Sequence, residues 1–186
     1  DITRLGAPRR SQLGIGRSFQ KTNIFPGFTC FENCWLAAQS RLPSSMRFFR
    51  PAGRLTDVEE RTKKWLDTCG LLTRGATTAA ALSYGEQRQL EIAMVLATEP
   101  TLLLLDEPMA GMGIEESGQI VSLLKKLAGD YTLVLVDHDM DAVFAIADTL
   151  TVMTNGRVLD SGPVEQVRNN AAVQEAYLGN IEAVQG

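Results

Sequence analysis

Two runs in the second half of the chain are apolar at every position, whereas a half-exposed strand would alternate. They lie within the predicted strands Thr101–Asp106 and Thr132–Asp137, and each predicts a strand that is covered on both faces. Strands of this kind are typical of a parallel sheet between layers of helices, so the fold class is α/β. We predict helices around these strands, over Gly85–Thr98, Glu115–Leu127 and Met140–Ala147.

The first half of the chain is predicted to be mainly helical after one short strand, Leu13–Gln20. Thr29 with Glu32, and Thr56 with Glu59, have the spacing of a capping box, in which each side chain satisfies a free amide at the start of a helix. These two signals predict a helical region between the first strand and the α/β part.

The end of the chain returns to strand and then to helix. Leu150–Met153 predicts a strand, and Asn155 with Gly156 predicts a hairpin turn into Arg157–Ser161, after which short helices follow. We therefore divide the chain into a first core segment at 1–27, a helical subdomain at 28–82, an α/β core at 83–161 and a helical tail at 162–186.

Composition narrows the function classes. The 186 residues carry 18 basic and 22 acidic side chains, and the net charge of −4 disfavours binding to nucleic acid through a broadly basic surface. No apolar run reaches the ~20 residues that a membrane-spanning helix needs. Cys30, Cys34 and Cys69 lack the second cysteine pair or the histidine of a zinc site, so we predict reduced, buried thiols.

Two adjacent carboxylates, Asp106 and Glu107, follow the first apolar strand. Buried charge is costly unless it is paired, and the carboxyl end of a parallel strand is where ligands bind. At that place Asp106 suits a hydrated Mg²⁺ beside nucleotide phosphates, and Glu107 can orient or deprotonate a water. The residues alone leave open the alternative that both carboxylates cap the next helix or pair with arginines.

The segment Leu82–Arg88 precedes a predicted helix and contains Ser83, Gly85 and Glu86. Ser83 and Glu86 have capping-box spacing, so a well-capped helix start explains them. Gly85 weakens a first helical turn, but it lets a phosphate approach the free amides at the positive end of the helix dipole. Phosphate binding and plain capping are both open from these residues.

The only histidine of the chain, His138, directly follows the strand Thr132–Asp137. A lone histidine is usually structural. The position of His138, however, parallels that of Glu107 at the exit of a neighbouring strand, so we expect the two side chains to reach the same crevice. There His138 can hydrogen-bond a terminal phosphate.

The order of these motifs resembles that of the ATP-binding subunit of an ABC transporter. In that family Gln20 corresponds to the Q-loop glutamine, Leu82–Glu86 to the signature motif and Leu102–Asp106 to the Walker B strand. Glu107 corresponds to the catalytic glutamate and His138 to the switch histidine. The resemblance covers essentially the whole chain and implies a P-loop NTPase core with a parallel sheet and an inserted helical subdomain.

The resemblance also implies ligands and partners. ATP is expected to contact Gln20, Ser83, Gly85, Glu86 and Asp106, with Mg²⁺ held by Asp106 and Gln20. The expected partners are a second ATP-binding subunit, integral-membrane permease subunits and, indirectly, a periplasmic or extracellular substrate-binding protein. The expected location is peripheral, on the cytoplasmic face of the inner membrane.

Three finer features are similar to the branch that imports branched-chain and other hydrophobic amino acids, with relatives that take urea or amides. They are the run Arg17–Phe25, the Leu-Ser-Tyr-Gly-Glu-Gln-Arg form of Leu82–Arg88, and the ending Ala176–Gly179. The competing hypotheses are a non-transport ABC-type ATPase that acts on nucleic acid or ribosomes, and a catalytically dead interaction module of the same fold.

The chain departs from the family pattern in one large respect, because it contains no Gly-x4-Gly-Lys-Ser/Thr motif. In the family the P-loop strand and helix precede the position of Asp1, so the chain is expected to be the family fold without its N-terminal segment. That strand lies in the family between the strand leading to His138 and the strand Leu150–Met153. We therefore expect these two strands to flank an unfilled place, pair directly, or be bridged by another chain.

Overall fold

A computed structural model describes residues 1–41 and 56–176, and the sequence predictions for residues 42–55 and 177–186 lie outside these ranges. The helices are Ala7–Gln12 (α1), Cys30–Gln39 (α2), Thr56–Thr68 (α3), Tyr84–Ala97 (α4), Ile114–Ala128 (α5), Met140–Ile146 (α6) and Val164–Arg168 (α7). The strands are Ile15–Arg17 (β1), Leu102–Asp106 (β2), Thr132–Val136 (β3), Thr149–Thr154 (β4) and Arg157–Pro163 (β5). Among the described residues, no helix combines the length and the hydropathy that crossing a membrane requires.

Three parallel strands form the sheet of the first compact unit, Asp1–His138, and confirm the α/β class. β2 lies in the middle, with Ile15 of β1 opposite Leu102 and Thr132 of β3 opposite the same residue. Since all three strands run in the same direction, the residues that follow them lie at one edge of the sheet. This arrangement places four candidate site residues at that edge, namely Gln20, Asp106, Glu107 and His138.

The predicted cover on both faces of the sheet is wrong for β3. Leu103 and Leu105 of β2 are buried, but Val134 and Val136 of β3 are 47% and 59% exposed. An apolar run shows that a strand needs cover on both faces, but it does not identify the segment that supplies the cover. Within residues 1–41 and 56–176, β3 pairs only with β2.

The helices α2, α3 and α4 pack together in the same unit, around side chains such as Cys34, Leu66 and Leu90. The capping box of Thr29 is confirmed, with Glu32 N donating to Thr29 Oγ1 at 3.1 Å. The predicted box at Thr56 is not observed, because α3 already includes Thr56, and Glu59 pairs with Lys63 one turn later.

The N-terminal segment differs from the sequence prediction. The strand expected over Leu13–Gln20 is confined to Ile15–Arg17, and a short helix, α1, precedes it with Pro8 in the first turn. Proline is tolerated there because the first helical amides have no partner within the helix. The cluster of Arg9 and Arg10 lies in the last turn, where the helix dipole favours positive charge.

The second compact unit, Asp139–Gly186, is described as far as residue 176. Asp139 caps α6 by accepting a hydrogen bond from Ala142 N at 3.0 Å. β4 and β5 form the predicted hairpin, and both Asn155 and Gly156 have the positive φ values that its turn requires. α7 follows the hairpin, and residues 171–176 are again helical.

Candidate nucleotide site

Glu107 stands at the end of the central strand in an unusual backbone conformation. Its φ of +44° lies in the left-handed region, which costs a non-glycine residue free energy and clusters at functional sites. Its amide donates to Val136 O at 2.7 Å, which ties the end of β2 to the end of β3. This turn directs the chain out of the sheet at the edge where the three parallel strands end.

Three of the predicted side chains converge at this edge. Gln20 Nε2 donates to Glu107 Oε2 at 2.8 Å, and His138 Nδ1 lies 3.8 Å from Glu107 Oε1. The second distance is an electrostatic contact and too long for a hydrogen bond. His138 is 76% exposed, so its ring is accessible to a ligand from solvent. The expectation that Glu107 and His138 reach one crevice agrees with this geometry.

Asp106 lies beside the cluster and has a different neighbour. Its Oδ2 is 3.8 Å from Arg17 Nη2, and both side chains are about half exposed. The Arg17 guanidinium also stacks over the ring of Phe19 at 4.9 Å. The alternative of pairing with an arginine therefore applies to Asp106, but such an exposed pair contributes little stability and yields readily to a ligand.

The donor set at this edge fits Mg²⁺ of the kind that accompanies nucleotides. The described residues contain no cluster of three or more His, Cys, Asp or Glu side chains that would hold a metal alone. Mg²⁺ in nucleotide sites is bound through one or two protein oxygens, with phosphates and waters as the other ligands. The half-exposed carboxylate of Asp106 and the amide oxygen of Gln20 match that smaller requirement.

The start of α4 forms a second candidate region. Ser83 is the N-cap and makes the predicted capping box with Glu86, whose amide lies 3.2 Å from Ser83 Oγ. Ser83 Oγ and Gly85 N both donate to Glu116 Oε1 of α5, at 3.0 and 3.3 Å. The helix start thus already holds a carboxylate, in the position that the phosphate hypothesis assigns to a ligand.

The side chain of Glu116 lies close to Gly85. A Cβ at this position would lie 2.9 Å from Glu116 Cδ, so any larger residue would push the carboxylate away. Glu86 also pairs with Arg74 at 3.3 Å. The capping box is therefore confirmed, and phosphate binding at this helix start stays a prediction.

Two charged residues of α4 that the sequence analysis did not assign lie behind the first cluster. Arg88 and Glu91 are buried and form an ion pair at 2.6 Å. Arg88 also donates to the carbonyl oxygens of both Gln20 and Glu107. Helical periodicity is the sequence signal that could have indicated their burial, because positions 88 and 91 share a face with the apolar positions 92 and 95.

The three cysteines are free and buried, as predicted. Burial raises the pKa of Cys34 to about 12 and also raises the pKa values of Cys30 and Cys69. Cys34 Sγ lies 3.7 Å from Ala93 O and 3.9 Å from Thr62 O, inside the helical packing. These thiols are structural, because the reactive thiolate form is disfavoured at all three positions.

Comparison with known proteins agrees with this architecture. The ABC transporter family profile matches residues 2–110, and a profile of branched-chain amino acid ATP-binding cassette transporters matches residues 161–183. The chain is 36% identical over 176 residues to the high-affinity branched-chain amino acid transport ATP-binding protein LivG of Escherichia coli, covering 91% of this chain and 69% of that protein. It is 35% identical over 186 residues to the corresponding protein BraF of Pseudomonas aeruginosa, covering 96% and 73%.

A solved structure extends the likeness to the fold. The ADP conformation of MJ1267, an ATP-binding cassette of an ABC transporter, superimposes with a TM-score of 0.77 at 28% identity, covering 96% of this chain and 74% of that one. The relatives and the solved structure are both ATP-binding components of transporters. The chain therefore belongs to the family of ABC transporter ATP-binding subunits.

Proposed function

We propose that this protein is the ATP-hydrolysing subunit of an importer for branched-chain or other hydrophobic amino acids, or for related amides or urea. The observation that carries the catalytic part is the convergence of Gln20, Glu107 and His138 at the ends of neighbouring strands. The names of LivG and BraF, together with the match of residues 161–183, support the substrate class.

In this proposal each side chain at the sheet edge has one task. Glu107 orients the attacking water and accepts its proton, and the amide of Gln20 fixes the carboxylate from one side. The exposed ring of His138 hydrogen-bonds the terminal phosphate of ATP. Asp106 and the oxygen of Gln20 would hold Mg²⁺, which supplies positive charge to the phosphates when bound.

The start of α4 serves a second ATP-binding subunit. Its N–H groups and the hydroxyl of Ser83 provide donors for a phosphate, and they now bind the carboxylate of Glu116. The 186 residues contain no phosphate-cradling Gly-x4-Gly-Lys-Ser/Thr loop. Two subunits would then enclose ATP, with Ser83 and Gly85 of one facing the nucleotide held by the other.

The loop after Gln20 provides a surface for the permease. Phe25 and Phe28 are half exposed and stack on each other with ring centroids 5.5 Å apart. Buried Asn33 fixes this loop, accepting from Phe25 N at 2.8 Å and donating to Phe25 O at 3.0 Å. A rigid, exposed aromatic pair is suited to anchoring a short helix of a partner. Docking there would place the subunit on the cytoplasmic face of the membrane.

A crosslinking experiment tests this surface. A cysteine replacing Phe28 is expected to crosslink to permease subunits in membranes, whereas one replacing exposed Val158 of the hairpin is not. Crosslinks formed only from position 158 would show that the docking surface is assigned to the wrong part of the chain.

Transport itself is tested in proteoliposomes that contain the assembled transporter and its substrate-binding protein. We expect ATP hydrolysis to be stimulated by leucine-loaded binding protein and to accompany leucine uptake. Stimulation by urea or an amide instead would change the substrate within the proposed class. Absence of ATP hydrolysis would favour the catalytically inactive interaction module.

A further inference from the structure

Arg88 is a fully buried cation on the first half of α4, and such a charge is tolerated only if its donors are satisfied. Nε donates to Pro108 O at 3.2 Å, and Nη1 donates to Phe19 O at 2.5 Å and to Glu91 Oε2 at 2.6 Å. Nη2 donates to Gln20 O at 3.0 Å and to Glu107 O at 3.1 Å. These five hydrogen bonds match the five N–H groups of a guanidinium.

Glu91 completes the arrangement from the other side. One carboxylate oxygen binds Arg88, and the other accepts from Phe19 N at 3.4 Å and from Asn23 N at 3.3 Å. The backbone of the loop between residues 19 and 23 is therefore held through its carbonyls by the cation and through its amides by the anion. A shorter side chain at either position leaves several part-buried polar groups of this loop unpaired.

The contacts of Arg88 join the two backbones whose side chains meet at the sheet edge. Its Nη2 bridges the carbonyls of Gln20 and Glu107, and the side chains of the same two residues form the 2.8 Å hydrogen bond described above. Glu107 also has a strained φ of +44°, which needs outside support to persist. The guanidinium supplies such support on both sides of the side-chain contact.

We propose that Arg88, held by Glu91, is a positioning residue for ATP hydrolysis that sets the geometry of the Gln20–Glu107 pair. The inference rests on the proposed function. Arg88 follows Ser83 and Gly85 closely on α4. The same helix therefore carries both the donors proposed for phosphate and the guanidinium that bridges the backbones of Gln20 and Glu107. Arg88 is fully buried, so it acts through the two backbones that it bridges.

The test compares kinetics of Arg88→Lys and Glu91→Gln in the assembled transporter. Lysine keeps the charge but cannot reproduce the planar fork, so kcat is expected to fall about 10- to 100-fold. The KM for ATP is expected to change by less than about threefold, since the proposed phosphate contacts are intact. Arg41→Lys is the matched control, because Arg41 also donates to backbone carbonyls, of Thr98 and Ser11, away from the sheet edge.

A double-mutant cycle separates positioning from general destabilisation. If Arg88 acts through the Gln20–Glu107 pair, the double variant Gln20→Ala/Arg88→Lys should have nearly the same kcat as Gln20→Ala alone. If the two substitutions lower kcat multiplicatively, the inference is wrong. It is also wrong if Arg41→Lys lowers kcat as much as Arg88→Lys does. If Arg88→Lys does not fold, Glu91→Gln enters the same cycle, because it keeps the side-chain shape. A wild-type transporter without ATPase activity would instead contradict the proposed function.

Discussion

The side chains of Gln20 and Glu107 meet at 2.8 Å although the residues are 87 positions apart in the sequence. The contact follows from the sheet, because β1 and β2 are adjacent parallel strands that deliver both residues to one edge. A carboxylate that must take a proton from water benefits from a fixed orientation, which the amide of Gln20 provides. Strand pairing thus brings two motifs that are far apart in the sequence into one site.

Removal of the Glu116 carboxylate should improve nucleotide binding. Ser83 Oγ and Gly85 N now donate to this carboxylate, and an incoming phosphate has to displace it. We therefore expect Glu116→Ala to lower the KM for ATP of the assembled transporter by about 3- to 10-fold, the net scale of one typical hydrogen bond.

The control for this prediction is Glu115→Ala. Glu115 is the preceding, exposed residue of the first turn of α5, so its loss removes the same charge from nearly the same place. An unchanged KM in Glu116→Ala, or an equal decrease in both variants, would show that the contact does not compete with ATP.

A Gly16→Ala substitution should destabilise the protein because β1 packs tightly against its neighbours. A Cβ at position 16 would lie 2.6 Å from Val95 Cγ1 and 3.1 Å from Pro100 Cβ. Neither neighbour is a flexible chain end, so the strand or α4 has to shift. We expect a loss of about 1–3 kcal/mol in the free energy of unfolding, measured by denaturant titration.

The same substitution at Gly118 should have the opposite sign. Gly118 lies within α5, and a Cβ there would meet nothing within 4 Å. Alanine is the better helix former, so we expect Gly118→Ala to raise the free energy of unfolding by about 0.5–1 kcal/mol. Stabilisation by both substitutions would contradict the packing around Gly16.

Cys34 should resist alkylation in the native protein. Its pKa is raised to about 12 by burial, so only about one molecule in ten thousand carries the thiolate at pH 8. Peptide mapping after iodoacetamide treatment should find Cys34 unmodified in the native protein and modified in denaturant. Rapid labelling at pH 8 without denaturant would contradict its placement between the helices.

The same thiol gives a pH dependence of stability with a defined sign. The unfolded state loses the proton near the ordinary value of 9.0, whereas the folded state keeps it up to about 12. Between these values the folded state binds more protons, so the free energy of unfolding from this group is constant below about pH 9 and falls as the pH rises above it.

The sequence predicts an element correctly where a single local pattern determines that element. The apolar run of β2 and the capping box of Ser83 and Glu86 require only a periodicity and a spacing, and both are confirmed. Arg88 and Glu116 escaped prediction because their partners are backbone carbonyls and a distant helix start. Such contacts depend on tertiary structure and leave little local pattern in the sequence.

The exposure of β3 likewise depends on tertiary structure and could not be predicted from the sequence. Its residues 133–136 are apolar throughout, which correctly indicates a strand of a parallel sheet. The exposure of Val134 and Val136 depends on which segment lies over them, and hydrophobicity contains no such information. α1 escaped prediction for a related reason, because a helix of 6 residues gives too short a pattern to recognise.

The most direct measurement is ATP turnover by the assembled transporter with Glu107→Gln, alongside Glu115→Gln as the control for loss of a surface carboxylate. The amide keeps the shape of Glu107 but cannot accept the proton of the attacking water. We predict that turnover falls by about 100-fold or more while ATP binding is retained, and that the control is unaffected. Turnover at the wild-type rate in Glu107→Gln would contradict the assignment of Glu107 as the general base.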